Sequence, residues 1–388
     1  MIASIYRSVV LFPTPALTPA DQTVLAGIEQ MRNRLRHQVR DQPGKWTSGL
    51  RKFLTADAVA ASNSIEGFRV STKDVQDLMD GERDVEVSDE NREETLAYQR
   101  MMTFVRSLHD VTDFEYSKGL LNALHWMLQG HRHTRRKPAG QWRAGPVYVT
   151  DPRDPLVAAY TAPDAADVPG LMAELVDWLN TGDDSHPLIR AAMAHLHLVS
   201  IHPWPDGNGR MSRSLQTLMI AREGVLAPEF SSIEAWLGRP GNTWEYYRQL
   251  QRRGATYQPD QDVSGWIRFS LTAYHQQAQA VQHRMDQSAA VWELLAAFAG
   301  DAGLDERVIT ALHDVAVGGR IRRARYEQSE NLTLQQAQRD LRDLAAAGLL
   351  VPVGRTRARY YTEGPHFPAT ALERARTPFT LNSPYPND

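Results

Sequence analysis

The span HPWPDGNGRMSR, residues 202–213, gathers the groups of a phosphate-transfer site into one turn. A glycine-rich turn that opens a helix presents free backbone N–H groups at the positive end of the helix dipole, which is a ready anion site. Gly207 and Gly209 let a ligand approach the backbone closely, and Asn208 between them tolerates a left-handed conformation and adds an amide donor. Arg210 and Arg213 are three apart in the first helical turn, and each guanidinium can grip one phosphate group bidentately. Asp206 would repel a bare phosphate, but it fits a Mg²⁺ placed between it and the phosphates. His202 is of a type that titrates at about pH 6.5, so it can take a proton from a hydroxyl. Together these groups describe transfer from a Mg-bound nucleoside triphosphate to a hydroxyl nucleophile. Singly, each also fits a plain turn: histidines before proline are commonly structural, DG and NG pairs mark turns, and arginines in a first helical turn are commonly solvated.

The elements that must position this turn are mostly helical. The pattern is helical from Ala20 to about Arg106, with breaks near Gln42–Gly44 and Gly67–Val70. The charged run at 81–97 reads as a solvated loop and helix start. Further helices are predicted at 117–130, 167–180 and 186–200, with apolar residues at helical spacing (Leu171, Leu175, Trp178; Ile189, Met193, Leu196). After the turn, Arg210 to Arg222 continues as a helix with Leu215, Leu218 and Met219 on one face, and more helix follows from Thr243 to about Met285. Between them, Val147–Val149 and Val157–Tyr160 form a small hairpin whose turn is bounded by Pro152 and Pro155.

A second candidate site lies upstream. ADAVAASNSIEGF, residues 56–68, reads as a helix ended by Gly67, with an apolar stripe of Leu54, Ala58, Ala61 and Ile65. Glu66 then faces the negative end of its own helix, an unfavourable place for an acid unless a cation is nearby; the alternative is a solvated glutamate.

Composition bounds the rest. A chain of 388 residues suggests two or three domains, and a net charge of -3 argues neither for nor against nucleic acid. No cysteine is present, which excludes disulfides, thiolate catalysis and cysteine-ligated metals and fits a cytoplasmic location. The N-terminal apolar run is short and broken by Arg7 and Pro13, so neither a signal peptide nor a membrane span is expected. There is no G-x-x-x-x-G-K-S/T loop and no H-E-x-x-H. His195 and His197, two apart, do not share a helix face, so packing or hydrogen bonding suits them better than metal ligation.

The stretch from His202 to Arg213 resembles the Fic-family signature H-x-F-x-D/E-G-N-G-R-x-x-R, departing from it at Trp204, where phenylalanine is usual. The resemblance runs from about residue 30 to about residue 285. It implies protein adenylylation, in which AMP moves from ATP to a Ser, Thr or Tyr hydroxyl of a target protein, with self-modification expected as well. By position His202 would be the base and Asp206 the Mg²⁺ ligand. Gly207, Asn208 and Gly209 would form the anion hole, and Arg210 and Arg213 would hold the outer phosphates. The phosphorylating, Doc-like branch carries lysine where this chain has Gly209, so glycine favours AMP transfer. The hairpin near 145–162, beginning at Gln141-Trp142-Arg143, would be the flap that holds the target by strand addition. Asn242, Tyr246 and Tyr247 match the region lining the adenine pocket, although core tyrosines fit that pair as well. Ser62-x-x-x-Glu66-Gly67 fits the family's inhibitory motif, which implies that Glu66 pairs with Arg213 and holds the enzyme off; removal of AMP by the same glutamate is a possible secondary activity.

The expected fold is therefore mainly α. An N-terminal helical region (1–106) carries an inhibitory helix at about 48–67, a Fic-type core with a hairpin flap spans 107–286, and a winged-helix domain and tail span 287–388. The winged-helix expectation rests on VWELLAAFAG, LTLQQAQRDLRDLAAAGLL (capped by Asn331 or Thr333 and ended by Gly348) and the ribbon VPVGRTRARYYT turning at Gly354–Arg355. Arginines cluster there at Arg320, Arg322, Arg323, Arg325, Arg355, Arg357 and Arg359, which raises a DNA-binding regulator as the alternative function. Asp340 and Asp343 on the would-be recognition helix count against it, and target selection or homo-oligomer (dimer) contacts are favoured for the module.

Overall fold

The computed structural model describes residues 10–41, 44–82, 85–151, 154–355 and 359–385. The N-terminal region is built from α1 (Pro19–Asp41), α2 (Gly44–Ile65), α3 (Thr72–Met79) and α4 (Asp89–Ser107). Ser71 and Ser88 cap α3 and α4 by accepting the N–H of Asp74 and Asn91, so the helical pattern breaks a third time, between 80 and 88. Next come α5 (Lys118–Gln129), the hairpin β1 (Tyr148–Asp151) and β2 (Asp154–Thr161), and then α6 (Val168–Thr181), α7 (Pro187–Ile201) and α8 (Asn208–Arg222). The hairpin is antiparallel, with Tyr148 opposite Thr161 and Val149 opposite Tyr160, and its register shifts after Val149. Its return strand is longer than expected: Pro155 lies inside β2 rather than in the turn, a position an outer strand tolerates, and Pro152 lies outside the described residues.

Helices α7 and α8 are buried along almost their whole length; α7 is apolar or small nearly all round, whereas α8 also buries Arg210, Arg213 and Gln216, each with hydrogen-bond partners. They pack on each other and on α6, α4 and α2. Met193, Leu196, Met211, Leu215 and Leu218 join Leu171 and Leu175 in one core, with Trp178 at its margin. That pair fixes the functional turn, which is the short connection between them.

Beyond it lie α9 (Pro228–Ser231), α10 (Glu234–Leu237), α11 (Pro240–Gln251) and α12 (Ser264–Asp301). The sequence suggests two helices where α12 runs unbroken for 38 residues, because neither glycine nor proline occurs between Trp266 and Ala299. The expected VWELLAAFAG helix is its last part. The remaining elements are α13 (Val308–Gly318), β3 (Ile321–Arg322), α14 (Arg323–Glu330), α15 (Leu334–Ala346), β4 (Leu350–Val353), β5 (Tyr360–Glu363) and α16 (Ala369–Arg376), with the strands in the order β3-β5-β4. The sequence reading did not separate α13, β3 and α14. α15 does begin with a capping box, Thr333 with Gln336, and Gly348 after it has φ +71°. Leu295, Leu312, Tyr326, Leu341 and Leu350 form a second core here.

The arginines of this region are largely spoken for. Arg320 reaches Asp74 (2.8 Å) and Asp77 (2.7 Å) on α3, Arg322 also reaches Asp77 (2.8 Å), and Arg325 pairs with Asp314 (2.5 Å). The C-terminal elements therefore lean on the N-terminal helices: a Cβ at Gly49 of α2 would lie 3.2 Å from Asp314. Arg357 lies outside the described residues.

Candidate active site

The turn between α7 and α8 is held from three sides. Its end residue His202 is left-handed (φ 52°, ψ 57°), which swings the chain out of α7. Trp204 is fully buried, donates its indole N–H to Asn122 (3.0 Å) and stacks on His125, with ring centroids 4.7 Å apart at 4°. His125 accepts the N–H of Gly140 at Nδ1 (2.8 Å), so its proton sits on Nε2 and is donated to the Asp206 carbonyl (3.0 Å). Burial pushes His125 down to about 4, which keeps it neutral in this role. Buried Arg143 closes the third side, bonding the His202 carbonyl (2.8 Å) through Nε and the Pro203 carbonyl (2.9 Å) through its backbone N–H. Trp204 thus anchors the turn through both its ring face and its N–H.

Asn208 departs from the expected use of its side chain. Its amide accepts from Trp204 N–H (3.1 Å) and donates to the Trp204 carbonyl (2.9 Å), so both polar ends lock the turn. What it presents to a ligand is its backbone N–H at the start of α8. Gly207, with φ +76°, makes that start possible; a Cβ there would press on Gln129 and Leu128, each at 3.1 Å.

Arg210 lies away from the cavity. It is buried at 1 % exposure, pairs with fully buried Glu94, donates to Asn63 (3.3 Å) and lies 5.3 Å over the Phe68 ring. Sequence spacing put both arginines on neighbouring faces of the first turn, but only the face of Arg213 opens to the cavity. Glu94 itself belongs to the run read as a solvated face, and it also takes His131 (3.0 Å) and Arg132 (2.9 Å). These cations lie 37, 38 and 116 residues away along the chain, so no local signal announced them.

The cavity, about 470 Å³, brings together His202, Asp206, Gly207, Asn208, Gly209, Arg213, Glu66, Tyr246 and Tyr247 beneath Val149 and Tyr160 of the hairpin. His202 Nδ1 lies 3.2 Å from the Val199 carbonyl. A carbonyl only accepts, so Nδ1 carries the proton and Nε2 keeps its lone pair free. Burial first, and then the positive charges of Arg253 and Arg143, push His202 down to about 4 against the opposing pull of the Val199 bond and Glu66, so it is an unprotonated base at neutral pH.

Arg213 makes three contacts with the end of α2: Nε to Ser62 Oγ (2.8 Å), Nη2 to the Ser62 carbonyl (3.1 Å) and Nη2 to Glu66 Oε1 (2.8 Å). Its burial works against its charge, but adjacent Glu66 more than offsets this and its pKa is raised. Nη1 is buried with no hydrogen-bond partner. Glu66 follows the last turn of α2, where Gly67 takes φ +90° as expected, and the α2 terminus is held by Tyr247 Oη donating to the Ile65 carbonyl (2.8 Å). The Glu66 carboxylate lies directly over the start of α8, since a Cβ at Gly209 would be 2.4 Å from its Oε1.

Tyr246 and Tyr247 divide between two roles. Both line the cavity, but buried Tyr246 also donates to His195 Nε2 (3.0 Å), while His195 Nδ1 donates to Gln216 (2.6 Å). His195 and His197 are buried packing residues, each pushed to about 3 chiefly by burial, and no group of three or more metal-ligand side chains occurs among the described residues. Asn242 binds the Trp236 carbonyl (2.8 Å) rather than the cavity. At the cavity mouth, half-exposed Asp206 accepts the Gly207 N–H (2.7 Å) with Oδ1 and faces Lys137 (3.5 Å) with Oδ2. Oδ2 thus has only a long contact to an exposed lysine, and exchanging that lysine for a Mg²⁺ completed by substrate phosphates and water, as this ion prefers, would suit the site.

Several site residues carried no sequence signal. Arg253 lines the cavity, is buried with Nε and Nη1 unpartnered, and lies 4.0 Å from the Tyr160 ring. Glu234 is buried behind Ser62 and Arg213, accepts from Tyr98 (2.8 Å), and is raised by burial to about 7. Neither has a motif neighbour; only the tertiary packing brings them here.

Comparison with known proteins agrees with this geometry. Residues 115–220 match the model of the Fic/DOC family. The chain is 32% identical over 167 residues to a protein adenylyltransferase Fic of Culex quinquefasciatus, a match covering 42% of this chain and 31% of that protein. It is 38% identical over 104 residues to the Drosophila willistoni protein of the same name, covering 25% and 19%. The matches span about a third or less of these curated relatives. Among solved structures, a Fic family protein from Desulfovibrio desulfuricans aligns with 91% of this chain and 98% of its own at TM-score 0.56 and 24% identity. Fic-1 of C. elegans aligns with 69% of this chain and 73% of its own at TM-score 0.53 and 23% identity. The similarity to the Fic/DOC family thus covers residues 115–220, the part of the chain that runs from α5 through the functional turn into α8.

Proposed function

We propose that this protein is a protein adenylyltransferase, moving AMP from ATP to a Ser, Thr or Tyr hydroxyl of a protein target. The observation that carries the reading is His202, neutral and with Nε2 free, beside the N–H groups that open α8 in a 470 Å³ cavity. The target oxygen attacks the α-phosphorus, its proton passes to His202 Nε2, and the bond from the α-phosphorus to the bridging oxygen breaks to release pyrophosphate. The N–H groups at Gly207–Gly209 and the dipole of α8 stabilise the charge that builds on the phosphate oxygens. Asp206 would hold Mg²⁺, which supplies charge neutralisation to the phosphates when bound. The hairpin over the cavity supports docking of the target along the outer edge of β1, where Tyr148 is exposed.

Glu66 supports an autoinhibited reading. Its carboxylate holds Arg213 and covers the start of α8, the place the outer phosphates need. Removal of AMP from a modified target by the same glutamate is a compatible secondary activity. The order of α13, β3, α14, α15 and the β4–β5 ribbon supports a winged-helix reading of the C-terminal region, and the ion pairs of Arg320, Arg322 and Arg325 favour a protein-facing role over a DNA-binding one.

Intact-mass measurement of the Glu66→Gly protein incubated with MgATP tests the reaction. The expected result is a gain of one AMP per modified hydroxyl, lost in a Glu66→Gly, His202→Ala double variant. A gain that survives loss of His202 overturns the proposal.

A further inference from the structure

A second cavity, about 460 Å³, opens in the C-terminal region away from the transfer site, between the start of α14, the face of α15 and the β4–β5 ribbon. Arg322 and its neighbour Arg323, Arg342 and Arg359 converge on it from three separate places in the chain, with Glu82 as the opposing carboxylate and Tyr361 as an aromatic wall. Arg322 is held by Asp77, and Arg323 pairs with Glu327. Arg342 and Arg359 are exposed at the rim and have no hydrogen-bond or ion-pair partner among the described residues.

Bringing four guanidiniums to one concavity raises a mutual repulsion that the nearby carboxylates only partly offset, and a bound anion removes it. Guanidinium forks match phosphate oxygens two at a time, and a cavity of this size falls in the range of small-ligand sites. The shape also separates this feature from a duplex-binding face. The positive groups point into a hollow rather than along a stripe, and Glu82 at its edge would repel a continuous phosphate backbone.

We propose that this cavity binds a small polyanion carrying at least two phosphate groups, of the nucleotide or free polyphosphate class. The site does not depend on the transfer reaction proposed above. Its place is notable for the fold: Asp77, which holds Arg322 and Arg320, belongs to α3, and α3 packs on α2. A ligand in the cavity therefore competes with α3 for Arg322.

The test is calorimetric titration of the full chain with sodium tripolyphosphate and, separately, with ATP. Three proteins are compared: wild type, Arg342→Gln/Arg359→Gln, and Arg213→Ala. Both rim arginines are exposed, so the double variant keeps the fold, which circular dichroism verifies. The expected result is tripolyphosphate binding that the double variant weakens at least about tenfold, the order expected for losing two charge-assisted contacts, and that Arg213→Ala leaves in place. Tighter binding of ATP than tripolyphosphate at the same arginines assigns the nucleotide class, with the base against Tyr361; equal or weaker binding assigns free polyphosphate. No binding up to about 1 mM, binding lost only in Arg213→Ala, or a DNA duplex bound through Arg342 and Arg359 that tripolyphosphate does not displace, each overturns the proposal.

Discussion

Replacing Glu66 by glycine removes one of the three contacts that tie Arg213 to the end of α2. The Nε and Nη2 bonds to Ser62 at 2.8 and 3.1 Å remain, and the 2.8 Å bond to the carboxylate is lost. Arg213 is buried, while the Glu66 side chain is 28% exposed, so the lost pair is partly screened. A charge-assisted bond in such a setting is worth about 1.5–3 kcal/mol, which corresponds to about 10- to 150-fold in the occupancy of the productive nucleotide pose. Helix stability should barely change, because Glu66 lies just beyond the last residue of α2. Labelling with fluorescent or radioactive ATP at subsaturating nucleotide should therefore rise by about one to two orders of magnitude. Glu66→Gln separates the two components of the block, since it removes the charge but leaves the bulk that sits over Gly209; its labelling should fall between wild type and Glu66→Gly. Equal labelling by wild type and Glu66→Gly, with both proteins folded, refutes the reasoning.

Other consequences follow from named contacts. Arg210→Ala leaves fully buried Glu94 without its closest cation and should cost about 3–5 kcal/mol in chemical denaturation, as broken buried pairs do; a loss of activity with no loss of stability would return Arg210 to the phosphate site. Trp204→Ala empties a fully buried site and should cost about 3–5 kcal/mol in the same assay. His202 is pushed down to about 4, so labelling by Glu66→Gly should stay level from pH 8 to about 5.5 and fall as pH approaches about 4. Arg253→Met removes one of the cations that hold His202 neutral, so the acid limb of that profile should move to higher pH. Three buried histidines, His125, His195 and His197, and half-buried His202 have folded values of about 3 to 4, below the unfolded value of about 6.5. Below about pH 6.5 the unfolded chain therefore binds more protons than the folded one, and stability should fall with pH, by up to about 1.4 kcal/mol per pH unit for each histidine, down to about pH 4. A melting temperature flat from pH 7 to 4.5 contradicts their burial as neutral rings.

The sequence by itself determined whatever is local in the chain. The turn between two helices, the glycines that open α8, the Gly67 stop after α2 and the capping box at Thr333 follow from backbone geometry and nearest neighbours, so residue type and spacing were sufficient. The motif also named His202, Asp206 and Arg213, and the glutamate placed against its own helix dipole announced that it needed a distant cation. Tertiary structure decided everything that depends on which face of a helix meets which neighbour. Spacing treated Arg210 and Arg213 as equals, yet Glu94, more than a hundred residues away, takes one into the core while Ser62 and Glu66 hold the other at the cavity. The same long-range packing turned a charged run into the source of a buried acid, assigned the amide of Asn208 to the turn itself, and set Arg253, His125 and Glu234 around the site. Those contacts are made across the fold, between residues whose order along the chain carries no trace of their proximity.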